Sequence, residues 1–401
     1  MVTGNPPEAS LPPTTSQPGG TSLPRAFASI SIAYTDEGRL WVWENGQVRS
    51  LTRVDTRTVL SFSNNGREIA FTRDGQLLVI ENSGVSERVV IDADNMNVIT
   101  SGDQENQVVF TWLPDNEALL VSSRDDSDLI PTHRQDLYLV NADTGEILTL
   151  FHAGEGGLAY PSPDGDWIAV ASEERILLMK SDGSRASTVL VYNPTKSGGL
   201  PYIPRLSWGE DSRSLLAEIM SEESMTIWRI PVQGTAWAEL TTSSYKGLSF
   251  SPDHSKFAYV LEKGDLVDSP VELHIADLDG SDDETVYSAV KTDYSGIAFR
   301  SWSPDSGSVL FTDINDEIQW MDIEDKSVLT IPEGPSLSAE TTTDLWINAS
   351  CVVIARQTPD AIWLSVTGEV SLQVVRFKST DLLINGLSYS FAFVPDIQTS
   401  P

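Results

Sequence analysis

The chain has 401 residues, of which 40 % are hydrophobic and 21 % charged, enough apolar material for a large packed core. Its 26 Lys and Arg against 58 Asp and Glu leave a formal net charge of −32, a balance that repels nucleic-acid phosphates and anionic lipid headgroups and favours cations or basic protein patches. No run approaches the ~18 consecutive apolar residues that span a bilayer, so neither nucleic-acid binding nor membrane insertion is expected.

Residues 1–24 are rich in Pro, Ser, Thr and Gly and nearly free of apolar side chains. Such a segment cannot offset its own ordering entropy and reads as a disordered linker. It lacks the basic and apolar regions of a signal peptide. Its composition is that of the spacer following an export or lipoprotein signal, so a tethered, extracytoplasmic setting is expected.

Residues 27–52 then give three short strands, Ala28–Tyr34, Arg39–Glu44 and Gln47–Leu51. From there a phrase recurs: an apolar strand, a Ser-Pro-Asp-Gly-like turn and a second apolar strand. It runs as Leu60-Ser-Phe-Ser-Asn-Asn-Gly66, Phe110-Thr-Trp-Leu-Pro-Asp-Asn116 and Ala159-Tyr-Pro-Ser-Pro-Asp-Gly165. Three further copies are Leu206-Ser-Trp-Gly-Glu-Asp-Ser212, Leu248-Ser-Phe-Ser-Pro-Asp-His254 and Arg300-Ser-Trp-Ser-Pro-Asp-Ser306. Aligned on Asn64, Pro114, Pro163, Glu210, Pro252 and Pro304, the steps are 50, 49, 47, 42 and 52 residues. That period and the strand patterning predict a four-stranded propeller blade. In the copy centred on Pro163 the four strands fall at Gly157–Ser162, Trp167–Ser172, Arg175–Lys180 and Thr188–Tyr192.

Residues 343–377 supply four strands without the turn phrase. The strand missing from 27–52 is assigned to the C-terminal run Leu387–Val394, which closes the ring and removes its free edges. The expected fold is all-β: a single propeller of four-stranded antiparallel blades over residues 25–395, eight-bladed with seven as the alternative, followed by a flexible tail at 396–401.

The Ser-Pro-Asp-Gly turn followed by an Ile-Ala-Val or Phe-Ala-Tyr strand resembles the repeat of TolB-type propellers, relatives of the WD-repeat family. The resemblance covers residues 57–332 well and both ends weakly. It implies the fold and an envelope setting. The chain has no room for the separate N-terminal α/β domain of TolB itself, so it does not imply the Tol–Pal role.

Residues that would carry chemistry are few. There is no Gly-x-Ser-x-Gly elbow and no phosphate-binding glycine loop. The four histidines, His133, His152, His254 and His274, form no i, i+2 or i, i+4 pair. Cys351 lies in an apolar run, where a free thiol behaves as a small hydrophobe. The densest acidic run supplies Asp277, Asp279 and Asp282 as candidate Ca²⁺ ligands, but it lacks calcium-loop spacing and sits at a hairpin where Asp-Gly is needed anyway. No other cofactor is expected. Trp112, Trp208 and Trp302 share one place in three inner strands, which points to packing between blades.

The turns of one face are short and alike, whereas Asp92–Gln107, Ser123–Asp136, Asn193–Pro204, Glu262–Pro270 and Pro332–Thr343 are long and all belong on the opposite face. Long loops on a rigid scaffold are where binding residues concentrate. Arg124, Asp125, Asp126, Asp128, His133, Arg134, Tyr192, Lys196 and Tyr202 are the candidate contacts. The expected function is a noncatalytic, monomeric binding or scaffolding propeller that takes a protein, peptide or glycan on this face. The alternative is a lyase or hydrolase with carboxylates in the central channel.

Overall fold

A computed structural model describes residue 27, residues 389–393, and residues 30–376 apart from 56–57, 104–105, 126–131, 198–199, 222–223, 243–247, 264–267, 292–295, 333–340, 349–350, 359–360 and 368–370. The segments 1–24 and 396–401 lie outside the described residues.

Eight four-stranded antiparallel sheets form the blades of one propeller. We letter the strands of each blade A to D from the channel outwards. Blade 1 takes strand A from the far end of the chain: Tyr389–Phe393 pairs with Ile30–Asp36, followed outwards by Arg39–Glu44 and Gln47–Arg53. Strands A and D are Leu60–Phe62 and Arg88–Ile91 in blade 2, Asn106–Trp112 and Ile147–Phe151 in blade 3, and Leu158–Pro161 and Ser187–Val191 in blade 4. They are Leu206–Trp208 and Trp237–Thr242 in blade 5, Ser249–Phe250 and Glu284–Val290 in blade 6, Ala298–Trp302 and Val328–Thr330 in blade 7, and Thr341–Asn348 and Leu372–Arg376 in blade 8. The ring closure and the blade number agree with the sequence.

Strands B and C are apolar on both faces because each blade is sandwiched between two others. Ile69, Ala70 and Phe71 in strand B of blade 2 are all fully buried, Ile69 and Phe71 against blade 1 and Ala70 against blade 3. Each core cluster joins neighbouring blades, and the cluster of Ile30, Ile32 and Trp43 with Val353 and Leu364 links blade 1 to blade 8.

The recurrent turn owes its sequence to hydrogen bonding. Ser162 Oγ accepts from Trp167 N at 3.0 Å and donates to Asp164 Oδ1 at 2.6 Å, while Gly165 takes the left-handed φ of 77°. Ser63, Ser251 and Ser303 repeat this, with hydroxyl-to-Asx distances of 2.9, 2.7 and 2.6 Å. All four serines are buried, so the serine and the Asx residue satisfy the turn internally.

These turns also tie blades together in pairs. Asn65 N donates to Asn116 Oδ1, Asp164 N to Ser212 Oγ and Asp253 N to Ser306 Oγ, at 3.2, 3.0 and 3.1 Å. In return, the Nε1 of Trp112, Trp208 and Trp302 donates to the carbonyls of Ser61, Tyr160 and Ser249, at 3.2, 2.9 and 3.0 Å. Blades 2–3, 4–5 and 6–7 are thus bonded in both directions, and the three tryptophans serve the inter-blade role their repetition predicts.

One helix interrupts the β pattern. Ala93–Ile99 occupies the link between blades 2 and 3, capped by Asp92 Oδ1, which accepts from Asn95 N at 2.8 Å. Met96 and Ile99 are buried in the core of blades 2 and 3. The link is also shorter than the sequence suggests, since Asn106 and Gln107 already belong to strand A of blade 3.

Candidate functional site

The face opposite the recurrent turns carries the irregular elements, and we call those over blades 2 to 5 the crown. In blade 3, strand B runs on to Asp125, and Thr132–His133 pairs back onto it, with Thr132 opposite Asp125 and His133 opposite Arg124. Ser123 to Asp125, expected in a loop, are therefore strand. Asp126 and Asp128 lie outside the described residues.

Arg134 anchors the crown. Its guanidinium donates to Ile99 O at 3.2 Å, Ser101 Oγ at 2.7 Å and Ser123 Oγ at 3.4 Å, fastening the helix end to blade 3. Arg124 Nη2 reaches Gln107 Oε1 at 3.5 Å. Beneath them, Asp136 is 1 % exposed and accepts from Ser122 Oγ, Ser123 N and Ser123 Oγ at 3.1, 2.7 and 2.6 Å. A buried carboxylate with that many donors holds the base of the hairpin through hydrogen bonds.

Between blades 4 and 5, the link carries a two-rung hairpin, Lys196–Ser197 with Leu200–Pro201. Tyr192 and Tyr202 flank it and point inwards: their hydroxyls donate to Ser172 O at 2.5 Å and Glu218 O at 2.6 Å. Burial raises both phenol pKa values, so they stay neutral donors. Lys196 is exposed at the hairpin. Of the described candidates, Arg134, Tyr192 and Tyr202 shape the crown, while Lys196 faces solvent.

The three acidic candidates sit elsewhere, at the end of strand C and the C–D turn of blade 6. Asp277 pairs with Lys256, Asp279 accepts from Ser281 N and Oγ at 2.9 and 2.6 Å, and Asp282 takes a left-handed φ of 49°. Among the described residues, no group of three or more His, Cys, Asp or Glu side chains is arranged to hold a metal.

Two charged clusters had no signal in the sequence. On the inner strands of blades 7 and 8, Arg300 Nε and Nη2 grip Asp344 Oδ1 at 3.0 and 2.6 Å. Arg300 is the bulged residue of its strand, because the register shifts between Phe299 and Ser301, and a bulge re-aims a side chain. In blade 6, His274 lies between two carboxylates, with Nδ1 3.0 Å from Asp283 Oδ1 and Nε2 3.0 Å from Glu272 Oε2. Tyr259 stacks on its ring at 4.9 Å and donates to Asp283. The two nitrogens address different carboxylates, an arrangement that fixes the imidazole and binds the C–D turn to the blade.

No family model matches the sequence, and no curated protein matches it. Solved structures similar to it include propellers. A eukaryotic initiation factor shares 11 % identity over 92 % of this chain and 99 % of its own, with a TM-score of 0.54. An oligogalacturonate lyase from Vibrio parahaemolyticus shares 14 % over 72 % and 84 %, at 0.47. TolB from Acinetobacter baumannii shares 12 % over 91 % and 67 %, at 0.36. At these identities the likeness shows the propeller fold alone.

Proposed function

We propose that the protein is a noncatalytic binding propeller, tethered outside the cytoplasm, that takes its partner on the crown over blades 2 to 5. The observation that supports this reading is the way the crown is held. Arg134, Tyr192 and Tyr202 spend half-buried hydrogen-bonding groups on fixing the backbone of a helix, a hairpin base and a link. Segments held in one shape recognise a surface with little ordering cost. The turn face differs, since its recurrent Ser, Asx and backbone N–H groups bond within and between the blade turns. The Pro, Ser, Thr and Gly composition of residues 1–24 suits a spacer between a membrane anchor and the ring.

The test is affinity capture from an extract of the source cells with three baits. One is the wild type, one carries a Gly-Ser linker in place of residues 126–131 together with Lys196→Glu, and one carries Asp182→Lys and Arg185→Glu on the turn face. The expected result is a captured protein set lost with the crown variant and kept with the turn-face variant. Identical sets from all three baits would overturn the proposal.

A further inference from the structure

The inner strands of blades 2 to 8 share one position, fixed by register, next to the A–B turn, with a bulge and Asn348 intervening in blade 8. It holds Phe62, Trp112, Pro161, Trp208, Phe250, Trp302 and Trp346, paired respectively with Ile69, Leu119, Ile168, Leu215, Phe257, Val309 and Val352. The indoles of blades 3, 5, 7 and 8 reach back to the preceding blade and fill the wedge between the two inner strands. Blade 4 alone has proline there, and a pyrrolidine ring cannot span the wedge towards blade 3. Gly156 and Gly157 precede the strand and add no side chain. A Cβ on Gly157 would stand 1.9 Å from Ala171 O and one on Gly156 2.8 Å from Gln135 O, so larger residues are excluded.

A cleft of about 310 Å³ lies along this seam, walled by Val109, Thr111 and Ser122 of blade 3 and by Leu158 and Tyr160 of blade 4, so that Pro161 stands one residue beyond its wall, at the end nearer the A–B turn. That volume is at the bottom of the range for ligand sites, which runs from ~300 to ~1,000 Å³. It suits one side-chain-sized group. The lining is mostly apolar, and Ser122 already donates to Asp136, so a sugar would leave its hydroxyls unpaired. The net charge of −32 favours a cationic segment around the buried group.

We propose that the blade 3–blade 4 cleft binds a single apolar side chain, aromatic or branched aliphatic, of a peptide segment flanked by lysine or arginine. This rests on the crown reading and names the partner class for the same side of the ring.

The experiment uses 5-fluoroindole, followed by ¹⁹F NMR, and fluorescein-labelled Lys-Lys-Trp-Lys-Lys, Lys-Lys-Ala-Lys-Lys and Glu-Glu-Trp-Glu-Glu, followed by anisotropy at low salt. Wild type is expected to bind 5-fluoroindole and the basic Trp peptide, with the other two peptides at least about tenfold weaker. Pro161→Trp installs the residue found at the same place in four other blades. It is expected to abolish both interactions while keeping or raising the melting temperature. Thr111→Trp fills the cleft directly from its blade 3 wall and gives the same result if Pro161→Trp fails to fold. No binding to wild type, or equal binding of 5-fluoroindole to wild type and both filled variants, would overturn the proposal. Peptide binding that survives filling but is lost on replacing residues 126–131 overturns the cleft and leaves the crown standing. Binding that survives both changes removes both.

Discussion

His254 stands where Gly66 and Gly165 stand in blades 2 and 4, in the left-handed conformation with φ 56°. It is 4 % exposed at the seam of blades 5 and 6, with Nε2 3.4 Å from Ser207 Oγ. Burial and then the Arg229 charge push its pKa down to about 4, against the opposing pull of Asp211 and Asp253. The unfolded chain therefore takes up this proton first, near its ordinary value of ~6.5. The stability His254 confers is complete above that pH and is lost as pH falls towards 4, by up to ~3 kcal/mol. Urea titrations of wild type and His254→Gly between these limits should show a flatter pH dependence in the variant. Arg300 and Asp344 make a second residue-scale prediction. Arg300→Leu strands a carboxylate that is 12 % exposed and should cost about 3–5 kcal/mol, most of it recovered in the double variant with Asp344→Leu. Neither feature was legible beforehand. The histidine occupies a glycine slot, and the ion pair joins residues 44 apart.

At the scale of the element, the turns were readable because their chemistry is local. Ser, Asx and a left-handed residue within five positions close the A–B hairpin wherever they occur. The bond each turn sends to its neighbour was not readable, because its partner lies a whole blade away. The inter-blade tryptophans allow a graded test. Trp208→Phe keeps most of the packing and loses one hydrogen bond to Tyr160 O, which should cost ~1 kcal/mol. Trp208→Ala should cost ~3–5 kcal/mol through the cavity it leaves, and thermal melts of the two variants will separate the contributions. The outer edge shows a device the sequence hid altogether. In every blade but the seventh, the register between strands C and D shifts once, as between Ile176 and Leu177 or between Leu273 and His274. Such bulges twist the outer strand and discourage edge-to-edge pairing between molecules. The short helix, by contrast, was in plain view, with an Asp92 cap and buried Met96 and Ile99 three residues apart. It lies within Asp92–Gln107, which the sequence presents as a long loop, because seven residues are too few for a full helical period to stand out.

For the whole molecule, period and turn phrase mark six blades; the strand count over 343–377 and the pairing of both chain ends bring the expectation to eight, with seven as the alternative, and the ring has eight. The crown was readable only as length, because what gives it shape is the long-range anchoring by Arg134, Tyr192 and Tyr202. Truncation after residue 386 removes Tyr389–Phe393 and leaves Ile30–Asp36 as a bare edge. It should lower the melting temperature and produce aggregates on size-exclusion chromatography, whereas truncation after Phe393 should behave as wild type. The same closure governs how the ring responds to mechanical load. Ile30 faces Phe393 across an antiparallel pair, so the chain enters and leaves the propeller at adjacent points. Tension applied through the two ends falls first on that terminal rung and then on the next, each worth only ~1 kcal/mol net. The ladder peels like a zipper and does not resist in shear, so the ring yields to a weak pull between its ends, while a pull on one end alone leaves the closure unloaded.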